Sequence, residues 1–259
     1  MTQSEIPFPQ GQSLPLAGRV AAILGGTGGI GAATARKLAG LGARVAVAGR
    51  SLQAAAATAA ALPGDSHMGA AADVGDSASL RQLAEAIQAR YGRIDMLVNS
   101  AGFTQAVAHA DLDALSDELI DRIFAINWRG QFAAIRAFAP WLKASGAGLV
   151  VNVGSIAGET GQGSNVAYCA AKAGLDTMAK SLGRALAPEI RVLNVSPGVV
   201  DTDFVPGRDT AFNERAARST PLRRIGSAAG VADAIAACAT SLDFATGTTI
   251  VVDGGRRLG

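Results

Sequence analysis

Cysteine and charge are both scarce in this chain of 259 residues. Its two cysteines, Cys169 and Cys238, lack the spacing of metal ligands and lie in apolar, alanine-rich stretches. No metal site is expected; both read as buried thiols of a reducing compartment, which points to the cytoplasm. Charged residues make up 17% of the chain, against about 25% in an average soluble domain. So little polar surface predicts extensive burial and a subunit interface. The net charge is only +2, with no block of lysine and arginine, which excludes a nucleic-acid footprint. No apolar run approaches the roughly 18 residues a membrane-spanning helix needs. Residues 1–15 carry Pro7, Pro9 and Pro15 without a basic start or apolar core. They read as a flexible tail rather than a signal peptide. No repeat, linker or break in composition divides the remainder, so residues 16–259 are expected to form one domain.

What the chain does have is alternation. Apolar runs at 19–24, 44–48, 68–72, 94–98, 148–153, 190–195 and 248–252 read as seven strands. Between them lie helical stretches at 30–41, 52–62, 77–91, 116–142, 166–187 and 228–240, several ended by glycine or proline. Residues 199–226 show no regular pattern. Strands alternating with helices imply βαβ units. The expected fold is therefore α/β: a single doubly wound Rossmann-type domain, its seven-stranded, mainly parallel sheet covered by helices on both faces.

Two stretches carry chemistry. The first runs from Ser155 to Lys172. Tyr168 and Lys172 are four apart in a helix-forming segment, so they share one helix face. An ammonium beside a phenol favours phenolate and lowers its pKa from about 10. That brings Tyr168 toward the range where it can give or take a proton near neutrality. Ser155 follows a strand, at the carboxyl end where open α/β sheets bind ligands. The second stretch is the glycine cluster Gly25-Gly26-Thr27-Gly28-Gly29-Ile30-Gly31, set between the first strand and the first helix. A loop there can bring its backbone against a pyrophosphate at a helix amino terminus. Two glycine registers fit: Gly26, Gly28 and Gly31, or Gly25, Gly29 and Gly31.

Taken together, Gly25-x-x-x-Gly29-Ile30-Gly31, Asn99-Ser100-Ala101-Gly102, Asn127, Ser155, Tyr168-x-x-x-Lys172 and Pro197-Gly198 resemble the short-chain dehydrogenase/reductase family, in order and from about residue 17 to residue 253. The closing Val251-Val252-Asp253-Gly254-Gly255 is similar to that of 3-oxoacyl-carrier-protein reductase-like members. The resemblance implies an oxidoreductase that moves a hydride between a nicotinamide cofactor and a small-molecule ketone or secondary alcohol. It implies Tyr168 as general acid/base, Lys172 as its partner and a ligand of the nicotinamide ribose, and Ser155 as holder of the substrate oxygen. Asn127 would hold a water in a proton relay behind Lys172. Thr27, Gly28, Ala101 and Gly102 would line the cofactor path. Asp73 and Val74 would face the adenine, Asn99 would brace the sheet, and Pro197, Gly198, Val200 and Thr202 would border the nicotinamide. Three positions depart from the family pattern: Leu24, Ser100, and Leu193 with Asn194 following it. They put local bracing in question, not the reaction. The rival reading is a non-catalytic nucleotide-binding sensor or scaffold on the same fold.

NAD-binding members carry an acidic residue at the end of the second strand to take the ribose hydroxyls. Gly49 stands there, followed by Arg50 and Ser51. A guanidinium binds a phosphate bidentately and Ser51 could add a hydrogen bond, so NADP(H) is favoured, with NAD(H) possible. Phe103, Ile156, Gln162, Val166, Phe204 and Phe212 are expected to wall the substrate site, with residues 199–226 as a lid. Arginine and acidic residues in that lid are near balance and leave the substrate's charge open. Small residues along the Tyr168 helix (Ala167, Ala170, Ala171, Ala173 and Gly174) suggest close helix packing in a homotetramer, or a homodimer.

Overall fold

The structure, a computed structural model, describes residues 14–207 and 209–259. Most of the expected tail, and Arg208 of the expected lid, lie outside the described residues. The elements run β1 (Val20–Leu24), α1 (Gly29–Gly40), β2 (Arg44–Gly49), α2 (Leu52–Ala60), β3 (Met68–Ala71), α3 (Ser77–Tyr91), β4 (Met96–Asn99), α4 (Asp117–Phe124), a π turn (Ala125–Arg129), α5 (Gly130–Ala144), β5 (Gly148–Val153), α6 (Ala157–Thr160), α7 (Val166–Ala185), β6 (Ile190–Pro197), α8 (Thr210–Arg218), α9 (Ala228–Thr240), β7 (Thr249–Val252) and a closing 3₁₀ turn (Arg256–Leu258).

The seven strands form one sheet in the order β3-β2-β1-β4-β5-β6-β7, and every pairing is parallel rather than mainly so. A parallel sheet is buried on both faces, which is why its central strands read as unbroken apolar runs. Alternate residues of each strand enter different cores. On one face Ile23, Val47, Val151 and Leu193 pack with residues of α1, α2 and α9. On the other, Ala22, Leu97, Val150 and Val192 pack with α3, α5 and α7. The strand order reverses between β1 and β4, and the crevice at the carboxyl ends there is where such sheets take ligands.

A polar row crosses this apolar sheet. Asn99, Asn152, Asn194 and Thr249 occupy matching positions on β4, β5, β6 and β7. Asn99 donates to Asn152 at 2.9 Å, Asn152 to Asn194 at 3.0 Å, and Asn194 to the Asp176 carboxylate at 2.9 Å. Thr249 donates to the same carboxylate oxygen at 2.7 Å. Asp176 lies on α7, so the row ties that helix to four strands. The asparagine one place beyond the family's usual position is therefore the one in register. Leu193 points to the opposite face because side chains alternate along a strand.

Two sequence expectations are corrected. Residues 199–226 are not wholly irregular: α8 forms within them, begun by Asp209, whose side chain accepts from the Phe212 N–H at 2.7 Å. Its apolar spacing was too weak to find because Ala216 alone of its residues is buried. The helix expected over 116–142 contains the π turn at Ala125–Arg129 and runs past Pro140 to Ala144.

Candidate active site

A cleft of about 1640 Å³ opens along the carboxyl ends of the strands, over the reversal of strand order. It is long enough to be lined by the glycine loop at one end and by α8 and the closing 3₁₀ turn at the other.

At the loop end the structure separates the two glycine registers. Gly25 and Gly29 have left-handed φ values of +74° and +48°, which glycine alone adopts freely. A Cβ on Gly25 would lie 2.6 Å from the Ala101 nitrogen, and one on Gly31 would lie 2.1 Å from the Gly25 oxygen. Gly28 meets nothing within 4 Å and is extended. Gly25, Gly29 and Gly31 thus call for glycine through a left-handed backbone, a main-chain clash or both. Gly26 is close-packed too, since a Cβ there would lie 3.0 Å from the Ile23 oxygen, whereas Gly28 does not require glycine, which tells against the Gly26-Gly28-Gly31 register. Gly28 caps α1 without a side chain, and no acidic residue occupies the first turn. The free N–H groups and positive end of the helix dipole are left facing the cleft, as an anionic pyrophosphate requires. These residues fit a dinucleotide.

Thr27, Gly28, Ile30, Arg50, Asp73, Val74, Ala101, Gly102, Pro197, Gly198, Val200 and Thr202 all line the cleft. The Asp73 carboxylate also accepts from the Gly75 N–H at 2.7 Å, which fixes the turn after β3. Three expected cofactor residues do not line it. Gly31 packs beneath the loop, Asn99 belongs to the buried polar row, and Ser51 caps α2 by accepting from Ala54 at 3.2 Å.

At the centre, Ser155, Tyr168 and Lys172 converge from β5 and α7. The first turn of α7 is fixed by Asn165, which is fully buried and accepts from the Tyr168 N–H at 2.7 Å. Asn165 also donates to the Gln105 carbonyl at 2.8 Å, so the loop after β4 and the start of α7 move together. No sequence signal beyond an ordinary helix cap marked this residue. Ser155 accepts from the Ala157 N–H at 3.1 Å, leaving its own hydroxyl proton for a ligand. Lys172 is 4% exposed and donates to the Val153 carbonyl at 2.7 Å. Its Nζ stands 5.6 Å from the centre of the Tyr168 ring. Burial lowers the Lys172 pKa to about 8, opposed by the Asp176 carboxylate one turn further along α7.

Asn127 lies in the π turn and is fully buried. Its side chain donates to the Phe103 and Ile123 carbonyls at 2.7 and 2.9 Å and accepts from the Phe103 N–H at 3.2 Å. Both amide protons are therefore engaged, and the side chain ties the Phe103 backbone to the Ile123 turn of the helix. Of the residues expected to wall a substrate site, Phe103, Ile156, Gln162, Phe204 and Phe212 line the cleft. Val166, the first residue of α7, is 46% exposed and is not among the residues lining the cleft. Among the described residues no group of three or more potential ligands could hold a metal. Cys169 and Cys238 are unpaired and buried, and burial pushes the Cys238 thiol up to about 11.

A family model described as enoyl-(acyl carrier protein) reductase matches residues 25–257. A ketoacyl reductase of granaticin polyketide synthase from Streptomyces violaceoruber is 38% identical over 242 residues, covering 92% of this chain and 96% of the relative. The chain belongs to the short-chain dehydrogenase/reductase family. Carbonyl reductase family member 4 from Danio rerio is 34% identical, with 93% and 98% of the two chains covered. The solved structure of a short-chain dehydrogenase/reductase from Burkholderia xenovorans superposes with a TM-score of 0.87 at 34% identity, over 93% of this chain and 98% of that one. This member of the family is an oxidoreductase acting on carbonyl or alcohol groups with a nicotinamide cofactor.

The buried lysine has a consequence for stability. Its pKa is about 8 when folded and about 10.4 when unfolded. Below pH 8 the ammonium is charged in both states and the fold bears the full penalty of burying it. Between these values the unfolded chain binds more protons, so stability rises with pH. Urea unfolding of the cofactor-free protein should show wild type gaining on Lys172→Met as pH climbs from 8 to 10. A constant difference across that range would contradict the assignment.

Proposed function

We propose that this protein is an NADP(H)-dependent reductase of ketones, with Tyr168 as general acid/base and residues 16–259 acting as one domain in the cytoplasm. The observation that carries the catalytic assignment is the meeting of Ser155, Tyr168 and Lys172 in the cleft that also holds the glycine loop. A nicotinamide cofactor, when bound, supplies or accepts the hydride. The Ser155 hydroxyl orients the substrate oxygen by donating to it. Tyr168 transfers a proton to that oxygen in reduction and removes it in oxidation. The Lys172 ammonium favours the phenolate that remains and, with a donor to spare beyond Val153, holds the cofactor ribose. Asn127 keeps Phe103 and the cleft wall in place. The apolar side chains of Phe103, Ile156, Phe204 and Phe212 suit a carbonyl compound with a hydrocarbon body, which fits the ketoacyl and carbonyl reductases among the relatives.

Preference for NADP(H) rests on the end of β2. A Cβ on Gly49 would stand 2.8 Å from the Thr27 methyl, so Thr27 fills the space a ribose-binding carboxylate would need. Arg50 lines the cleft beside it and makes no ion pair among the described residues, which suits a 2′-phosphate. Ser51, whose oxygen caps α2, lies outside the cleft lining, so the preference rests on Gly49 and Arg50.

Support for a tetramer, or a dimer, now comes from a different place. Gly174 packs against the Trp128 ring, and Ala173 against Gly158, so the small residues of α7 are largely used within the chain. Sparse charge remains, together with exposed Phe124, Leu112 and Phe244. Light scattering at micromolar concentration should give a multiple of the 26.0 kDa chain mass; the monomer mass would refute the proposal.

Tyr168→Phe should fold and bind cofactor but lose roughly 10²–10⁴-fold in turnover, the usual worth of a positioned proton donor. Retention of more than a tenth of the wild-type rate would refute its role. Arg50→Ala should raise the Michaelis constant for NADPH about ten- to hundred-fold, since a charged hydrogen bond contributes about 1.5–3 kcal/mol. It should leave that for NADH nearly unchanged. Equal losses with both cofactors, or a wild type that prefers NADH, would count against NADP(H).

A further inference from the structure

The chain's last described residues meet both outer walls of the substrate side. After β7, Asp253 accepts from the Gly255 and Arg257 N–H groups at 2.8 and 2.9 Å and so starts the 3₁₀ turn. The turn sends two adjacent arginines in different directions. Arg256 reaches the end of α8, donating to the Ala216 carbonyl at 2.9 Å, to the Ser219 hydroxyl at 2.7 Å and to the Thr220 hydroxyl at 3.4 Å. Arg257 reaches α6, pairing with both carboxylate oxygens of Glu159 at 2.8 and 2.9 Å across 98 positions of sequence. The Leu222 N–H donates to the Gly254 carbonyl at 3.1 Å and adds a backbone tie to the segment after α8.

These contacts matter most for α8. Ala216 is its only buried residue, so it has little apolar anchorage of its own. The four-residue α6, by contrast, is seated on α7, with Ala157 buried and Gly158 against the Lys172–Ala173 backbone. Yet α8 presents Phe212 and Arg215 to the cleft, and α6 presents Ala157 and Thr160. A guanidinium on the carbonyl end of α8 also faces the negative pole of that helix.

We propose that Arg256 and Arg257 are positioning residues which strap α8 and α6 together and so set the width of the substrate side of the cleft. The strap leaves the glycine loop untouched. It acts on affinity for the carbonyl substrate rather than for the cofactor. The inference rests on the reading that this cleft takes a carbonyl substrate.

Steady-state kinetics on Arg256→Gln, Arg257→Gln, Glu159→Gln and the Glu159→Gln/Arg257→Gln double variant test it. Arg257→Gln and Glu159→Gln should each raise the substrate Michaelis constant by about three- to five-fold, the range of a partly exposed ion pair. The double variant should match either single one, because both remove the same contact. Arg256→Gln should raise it at least as far, and in all four variants the cofactor constant should move less than the substrate constant. Unchanged substrate constants would overturn the strap. So would a loss in Arg257→Gln without a loss in Glu159→Gln, since the arginine would then be touching substrate directly. Limited trypsin digestion supplies an arm independent of turnover. Cleavage after Arg215 and Arg218 in α8 should be faster in Arg256→Gln than in wild type, and equal rates would overturn the proposal. A wild type without carbonyl reduction would instead refute the functional reading and leave the digestion result to judge the strap.

Discussion

A charged ammonium held out of water is the constraint around which the rest of this molecule is arranged. Lys172 is almost wholly buried and carries one hydrogen bond to the Val153 carbonyl at the end of β5. Desolvation disfavours its charge, and only Asp176, one turn away on the same helix, opposes that effect. Asp176 is fixed by Asn194 and Thr249, which continue through Asn152 to Asn99. One row of side chains therefore sets the register of α7 on the sheet and keeps a carboxylate near the buried lysine. In an apolar sheet each of these amides would be costly without a partner; as a connected row they bind four strands and a helix into one geometry.

The cofactor end depends on closeness of backbone rather than on charge. Gly25 and Gly31 lie where any Cβ would strike neighbouring main chain, so β1, the loop and the strand end at Ala101 approach as nearly as atoms allow. That closeness presents the amino terminus of α1 to the cleft. Thr27 contributes differently: its side chain stands beside Gly49 and would crowd a Cβ at the end of β2. The substrate end is built in the opposite manner, from short helices with few buried residues joined by hydrogen bonds over long sequence distances. The close-packed glycine loop and the sparsely buried α8 thus meet in one cleft.

The alternation of strands and helices, the placing of the glycine cluster and the Tyr168–Lys172 spacing were all legible in the chain. Each is a local property: strand and helix periods, turn glycines and an i, i+4 pair are encoded within a few residues. Ser155 could be placed at a strand end for the same reason. Asp176, Asn165, Arg256 and Arg257 were not legible as site residues, because each acts on a partner distant in sequence. An aspartate four residues beyond a helical lysine looks like solvent-facing charge until β6 and β7 are laid beneath it. Val166 erred in the other direction. It is near Tyr168 in sequence, but it stands exposed at the start of α7 and outside the cleft lining.

By itself the sequence determined the fold class, the family resemblance and the pairing of Tyr168 with Lys172 on one helix, because these follow from short-range spacing. Only the tertiary structure decided which glycine register is sterically required and that Asn194 rather than residue 193 completes the polar row. It also decided that the Asn127 side chain holds Phe103, and that the arginines after β7 reach α6 and α8. Those outcomes depend on which strand lies beside which, and on atoms brought within 3 Å by chain segments dozens of residues apart. No local pattern carries that information, since hydrogen bonds and steric exclusion act on distance in space and not on separation along the chain.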